Sequence, residues 1–161
     1  MVREIKITEE KVKAAFAAAQ SGNSVVEVLE ALFDKPVVDY SDYHNIKTYE
    51  DACKATGIPM LDESQLSELG LTKQDIAYQK LAIIAKAINN GWQVNVCDSN
   101  VERWYPWFRP NGSASSFAFA YSYYVLSLAF AGSGSRLCFK SEELSDYCGN
   151  QFLDLWKEFI L

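Results

Sequence analysis

The sequence predicts an α+β fold: N-terminal helices, then an antiparallel β-sheet covered by two long helices, one of them C-terminal. Three observations predict it. Apolar residues recur at helical spacing after Thr72 and again after Ser141. Between Trp92 and Lys140 the period changes to two, with aromatic residues alternating with small or polar ones. Short turn sequences, Pro110-Asn111-Gly112 and Gly132-Ser133-Gly134, separate those runs, as hairpin-connected strands require.

The chain begins with helical signals. Thr8 precedes Glu9 and Glu10, a cap followed by an acidic first turn, and Val12, Ala15, Phe16 and Ala19 fall on one stripe. Ser21-Gly22-Asn23 breaks this helix. Ser24 and Glu27 form a capping box ahead of Val28, Leu29, Leu32 and Phe33, and Pro36 ends the second helix. Both helices are too short to stand alone in water. Residues 1–36 are therefore read as an N-terminal helical segment and residues 37–161 as the α+β domain. Thr48 caps a helix that Gly57 terminates, a further short helix is expected from Glu63 to Leu69, and the clearest one starts at Thr72, with Asp75 completing its cap. Ile76, Ala77, Leu81, Ile84, Ala87 and Ile88 give it a broad apolar stripe, and Gly91 stops it.

Strands are expected at Trp92–Val96, along the aromatic run Trp104–Phe108, at Phe117–Tyr123 and at Leu137–Phe139. Pro106 makes the second of these an edge strand. The set Phe117, Phe119, Tyr121 and Tyr123 is expected to face the covering helices. A single helix from Ser141 to about Ile160, with Leu144, Cys148, Phe152, Leu155 and Phe159 on one face, closes the chain.

Composition narrows the functional classes. The chain has 161 residues, 49% hydrophobic and 22% charged, with a net charge of -6. That is one ordinary domain with room for a helical appendage. Residues 1–90 carry 10 Lys/Arg against 14 Asp/Glu, and residues 91–161 carry 5 against 7, so no basic stripe exists to neutralise a phosphate backbone. Nucleic acid is a poor partner on these grounds. The N-terminus lacks a secretory pattern, and the longest apolar stretch, Val125–Ala131, is far short of the ~20 residues that cross a bilayer. A cytoplasmic protein with no membrane partner is expected.

Catalytic and metal chemistry find little support. Cys53, Cys97, Cys138 and Cys148 form no CxxC pair and read as reduced, mostly buried thiols. His44, the only histidine, sits between Asp42 and Asn45 in a polar stretch and reads as a solvated loop residue. Asp39, Asp42 and His44 match no calcium-loop spacing. Gly132-Ser133-Gly134-Ser135 precedes a predicted strand, where a phosphate-cradling loop would open a helix. No catalytic residue, metal site or cofactor is assigned, and the chain is read as a non-enzymatic protein.

The strongest functional signal is aromatic. Ten of the 22 aromatic residues lie within the 27 residues from Trp104 to Phe130. Adjacent strand residues point to opposite faces, so Trp104, Tyr105, Trp107 and Phe108 cannot all be buried on a one-sided sheet. Trp104, Tyr105 and Trp107 are the candidate anchors of a protein-binding surface, with Arg109 beside them. A small-ligand or glycan-binding module, or an enzyme, with a pocket between the sheet and residues 37–47, is the alternative.

The segments Trp104-Tyr105-Pro106-Trp107-Phe108 and Gly134-Ser135-Arg136-Leu137-Cys138-Phe139-Lys140-Ser141, with Tyr147 and Gly149-Asn150-Gln151-Phe152, add a likeness. With Ile46–Cys53 and the Asp75–Tyr78 stretch, the chain resembles uncharacterised small proteins encoded by phages and prophages of Bacteroidetes-type bacteria. The resemblance implies a mobile-element setting; the partner expected for the aromatic surface is another protein, of host or phage. The resemblance carries no activity, cofactor or catalytic residue, and the oligomeric state stays open.

Overall fold

The structure is a computed structural model that describes residues 7–19, 28–29, 32–33, 38–98, 100–110, 114–126 and 135–161. The Ser24–Glu27 capping box, Pro36, Asn111-Gly112, Phe130 and Gly132-Ser133-Gly134 lie outside the described residues. The chain separates into two compact units, Met1–Asp39 and Tyr40–Leu161.

In the first unit, α1 spans Glu9–Ala18. Thr8 stands at its N-cap in extended conformation, but its side chain makes no capping bond. The acidic first turn and the Glu9–Lys13 ion pair at 3.0 Å support the helix instead.

The second unit mixes helices with a two-stranded antiparallel sheet, the α+β class the sequence predicts. Its helices are α2 (Tyr49–Thr56), α3 (Glu63–Glu68), α4 (Lys73–Ile88), α5 (Glu142–Gln151) and α6 (Leu153–Ile160), and its strands are β1 (Glu102–Arg109) and β2 (Ala118–Leu126). Full capping boxes start α2 and α4: Thr48 with Asp51, and Thr72 with Asp75. Gly57, at φ +68°, ends α2 in the left-handed conformation that its lack of a Cβ permits. The buried stripe of α4, including Leu81, Ile84 and Ile88, packs with Ile46, Cys53, Leu137, Phe139, Cys148, Phe152 and Trp156 into one core. No helix among the described residues is long and apolar enough to cross a membrane.

Four expectations need correction. First, Trp92–Val96 is not a strand. Trp92 and Val94 are half-buried while Gln93 and Asn95 are exposed, so the alternation reflects unequal burial and not a ladder. Asn95 then starts a turn, its Oδ1 accepting from the Cys97 N–H at 3.1 Å. Second, Leu137–Phe139 is a short 3-10 turn, Ser135–Leu137, followed by a single bridge between Phe139 and Trp104. Asn89 at the end of α4 clamps the backbone on either side of that bridge. Its Nδ2 donates to the Cys138 carbonyl and its Oδ1 accepts from the Lys140 N–H, both at 2.9 Å.

Third, the C-terminal helix is interrupted at Phe152, whose φ and ψ are −112° and 31°. Gly149 and Asn150 are weak helix formers just before the break, and Phe152 and Trp156 both enter the core. Fourth, α4 does not lie on the sheet. Its main neighbours are α2, α6 and the Ser135–Leu137 turn, and α5 alone covers both strands.

Candidate binding surface

The functional question centres on the β1–β2 ribbon, where the register decides which rings are buried. Arg103, Tyr105 and Trp107 lie opposite Val125, Tyr123 and Tyr121, while Trp104 and Pro106 lie opposite Tyr124 and Ser122. Directly opposed residues share a face. Between Trp107 and Phe108 the register slips, so that Phe108 faces Phe119. This bulge places one extra residue, Ala120, on β2 and reverses the alternation beyond it.

The bulge overturns the expected common face of Phe117, Phe119, Tyr121 and Tyr123. Phe117 and Phe119 turn inward and meet Phe108, with ring centroids 5.1 and 6.1 Å away. Phe108 in turn stacks toward Trp156 at 5.3 Å. Tyr121 and Tyr123 turn outward. The buried residue between them is Ser122, whose Oγ lies 2.7 Å from Ser145 Oγ on α5. The approach of α5 is close at Gly149, where a Cβ would meet the Phe119 ring at 2.5 Å and Pro106 Cβ at 3.0 Å.

The outer face is an aromatic strip. Trp107 is 52% exposed, Tyr121 51%, Tyr123 57% and Val125 49%. The Trp107 and Tyr121 rings stack with centroids 6.4 Å apart and planes 14° from parallel. Tyr105 lies half-buried on the same face, and its burial raises the hydroxyl's pKa. Arg103 shares this face but is buried; its Nη2 donates to the Leu126 carbonyl at 3.4 Å, and its Nε and Nη1 have no hydrogen-bond partner among the described residues.

The structure thus divides the predicted site residues. Trp107 and Tyr105 belong to the outer strip, and Arg109 is exposed at the end of β1. Trp104 belongs to the inner side: its ring lies 5.1 Å from Tyr124, its Nε1 donates to Glu102, and its backbone pairs with Phe139. Sequence reasoning missed Tyr121, Tyr123 and Val125. The signal for the first two was the change from Phe at 117 and 119 to Tyr at 121 and 123, because a ring with a polar tip suits a water-facing position.

A cleft of about 510 Å³ opens elsewhere, lined by Ile83, Lys86, Trp92, Gln93, Arg136 and Cys138 among others. Two cations and no carboxylate line it among the described residues. Burial raises the Cys138 thiol, which favours its neutral form. Near residues 37–47, His44 is exposed; it contacts the Asp42 carboxylate at 2.8 Å and stacks on Tyr43 at 4.0 Å. That bond holds the Asp42 carboxyl below its usual range.

Comparison with protein-family models, curated proteins and solved structures finds no match for this chain.

Proposed function

We propose that the chain is a non-enzymatic accessory protein of a phage or prophage that holds another protein against the outer face of its ribbon. The observation that carries this reading is the side-by-side exposure of Trp107, Tyr121, Tyr123 and Val125. Tryptophan and tyrosine combine a large apolar body with a polar tip, lose little rotamer freedom on binding, and dominate the energetics of protein interfaces. The rings stand along the outer side of a two-stranded ribbon, whereas small molecules are held in concave sites. The mobile-element setting rests on the residue resemblance alone. The test is affinity capture from host cells with folded Trp107→Ala and Tyr121→Ala proteins. Truncating an anchor costs more than ~2 kcal/mol, about thirtyfold in affinity, so the wild-type partner should be lost. Equal capture by the Trp107→Ala protein removes the basis for the reading.

The cleft favours a second reading, a small organic anion held by Lys86 and Arg136 with its flat part against Trp92. A ligand that binds only the folded state raises the melting temperature. A thermal-shift series over nucleotides, sugar acids and aromatic carboxylates decides it; a series with no shift ends it for those classes.

A further inference from the structure

The ribbon has two edges, and they differ. On the far side of β1, Trp104 donates its N–H to the Phe139 carbonyl at 3.0 Å and accepts from the Phe139 N–H at 2.8 Å. Both backbone groups of Trp104 therefore point away from β2. In an antiparallel pair, the residue opposite such a position turns its own N–H and C=O outward as well. That residue is Tyr124, and two residues along, opposite Pro106, Ser122 does the same. Pro106 fits this register because the outward position asks no ladder bond of its missing N–H. The N–H and C=O groups of Ser122 and Tyr124 line the other edge, and no further strand pairs with β2 among the described residues.

Apart from the bulge at Ala120, this edge lacks the features that normally keep edges single. The nine residues Ala118–Leu126 include no charge and no proline. The occupant that matches alternate N–H and C=O groups at strand spacing is another extended backbone. Its side chains are constrained on both faces. On the outer face they would continue the Tyr121, Tyr123 and Val125 strip, where aromatic and β-branched neighbours pair best.

On the inner face they would meet α5. Tyr147 and Gln151 reach from α5 to the Ile46 and Lys47 carbonyls. By the helical period, Glu142, Asp146 and Asn150 form a flank turned away from that segment, next to the stripe holding Ser145 and Gly149 against the ribbon. Because β1 is the strand tied to the core through Phe139, this flank stands on the side of β2. Asp146 Oδ1 is buried there with no hydrogen-bond partner among the described residues. A second copy of β2 brings no cation to it and would set two acidic flanks against each other.

We propose that the open edge of β2 takes up an extended segment of a different protein, with aromatic or β-branched residues on its outer side and a lysine or arginine on its inner side facing Asp146. This deepens the reading of the outer face as a protein-binding surface and rests on it.

The test uses the full chain and a fluorescent nine-residue peptide alternating valine and lysine, followed by anisotropy. Two further versions carry N-methyl groups on all valines or on all lysines. In an added strand, alternate N–H groups face β2, so one version should bind like the parent and the other at least about tenfold more weakly. Asp146→Asn should weaken the parent several-fold, while Glu158→Gln, a charge control on α6, should not. No binding of the parent, equal binding of the two methylated versions, or equal effects of Asp146→Asn and Glu158→Gln overturns strand addition. Trp107→Ala separates the two readings. If it abolishes binding while both methylated versions bind alike, the aromatic face stands and strand addition falls. If it leaves parent binding unchanged while the methylated versions still differ, strand addition stands and the face is not the anchor.

Discussion

Gly149→Ala tests the seating of α5 on the ribbon. The added methyl would lie 2.5 Å from the Phe119 ring and 3.0 Å from Pro106 Cβ. Ordinary carbon contacts are roughly 3.5–4.0 Å, so the helix and ribbon must move apart or Phe119 must leave its rotamer. Overpacking of this kind costs about 1–3 kcal/mol. The same change improves helix propensity by about 1 kcal/mol. The net expectation is a loss of up to about 2 kcal/mol, which for a chain of this size lowers the melting temperature by up to about 4–8 °C. Urea denaturation measures it directly. The decisive comparison is the same change in a Phe119→Ala background, where the closest obstruction is gone. There the substitution should become neutral or stabilising, a coupling of at least about 1 kcal/mol between the two sites. If Gly149→Ala stabilises the otherwise unaltered protein, α5 does not lie against β2 as described and the two-faced ribbon fails with it.

Three further outcomes are expected. Asn89→Ala removes both bonds to the 138–140 segment and should cost about 2–4 kcal/mol in chemical denaturation; an unchanged midpoint would refute the clamp. Cys97 is exposed whereas Cys53, Cys138 and Cys148 are buried, so under native conditions a thiol reagent should label Cys97 alone, with the other three reacting only in denaturant, as mass spectrometry would show. Burial pushes the Cys148 thiol up to about 12 from its ordinary 9.0. Its unfolded form gives up its proton first, so this contribution to stability is complete below pH 9 and is lost as pH rises toward 12. Unfolding free energies measured between about pH 8 and 11 should fall with rising pH, and Cys148→Ala should flatten that fall.

What the sequence makes legible here is local. The caps at Thr48, Thr72 and Ser141 are each spelled within four residues, and the structure forms all three. The stripe of α4 is legible because the helical period repeats through Ile88. The class follows from the change of period after Gly91. The ribbon's two faces were not legible, because the bulge depends on how Trp107 and Phe108 meet β2 and no feature within either strand announces it. For the same reason Trp104 and Trp107 read alike in sequence while the structure separates them. The alternation at Trp92–Val96 misled because a period of two records only that one side is covered, and unequal burial needs no ladder. The clamp around Phe139 comes from a side chain 50 residues earlier, beyond the reach of any window.

The Asn89 clamp also bears on the order in which the chain is assembled. It ties the end of α4 to carbonyl and amide groups 49 and 51 residues downstream. The hairpin strands between them can pair over a much shorter loop, at a smaller entropic cost of closure. During synthesis, however, α4 leaves the ribosome well before its anchor at Lys140 has been made. Until then its apolar stripe lacks part of its cover, which is a long-range contact that only the later chain can supply.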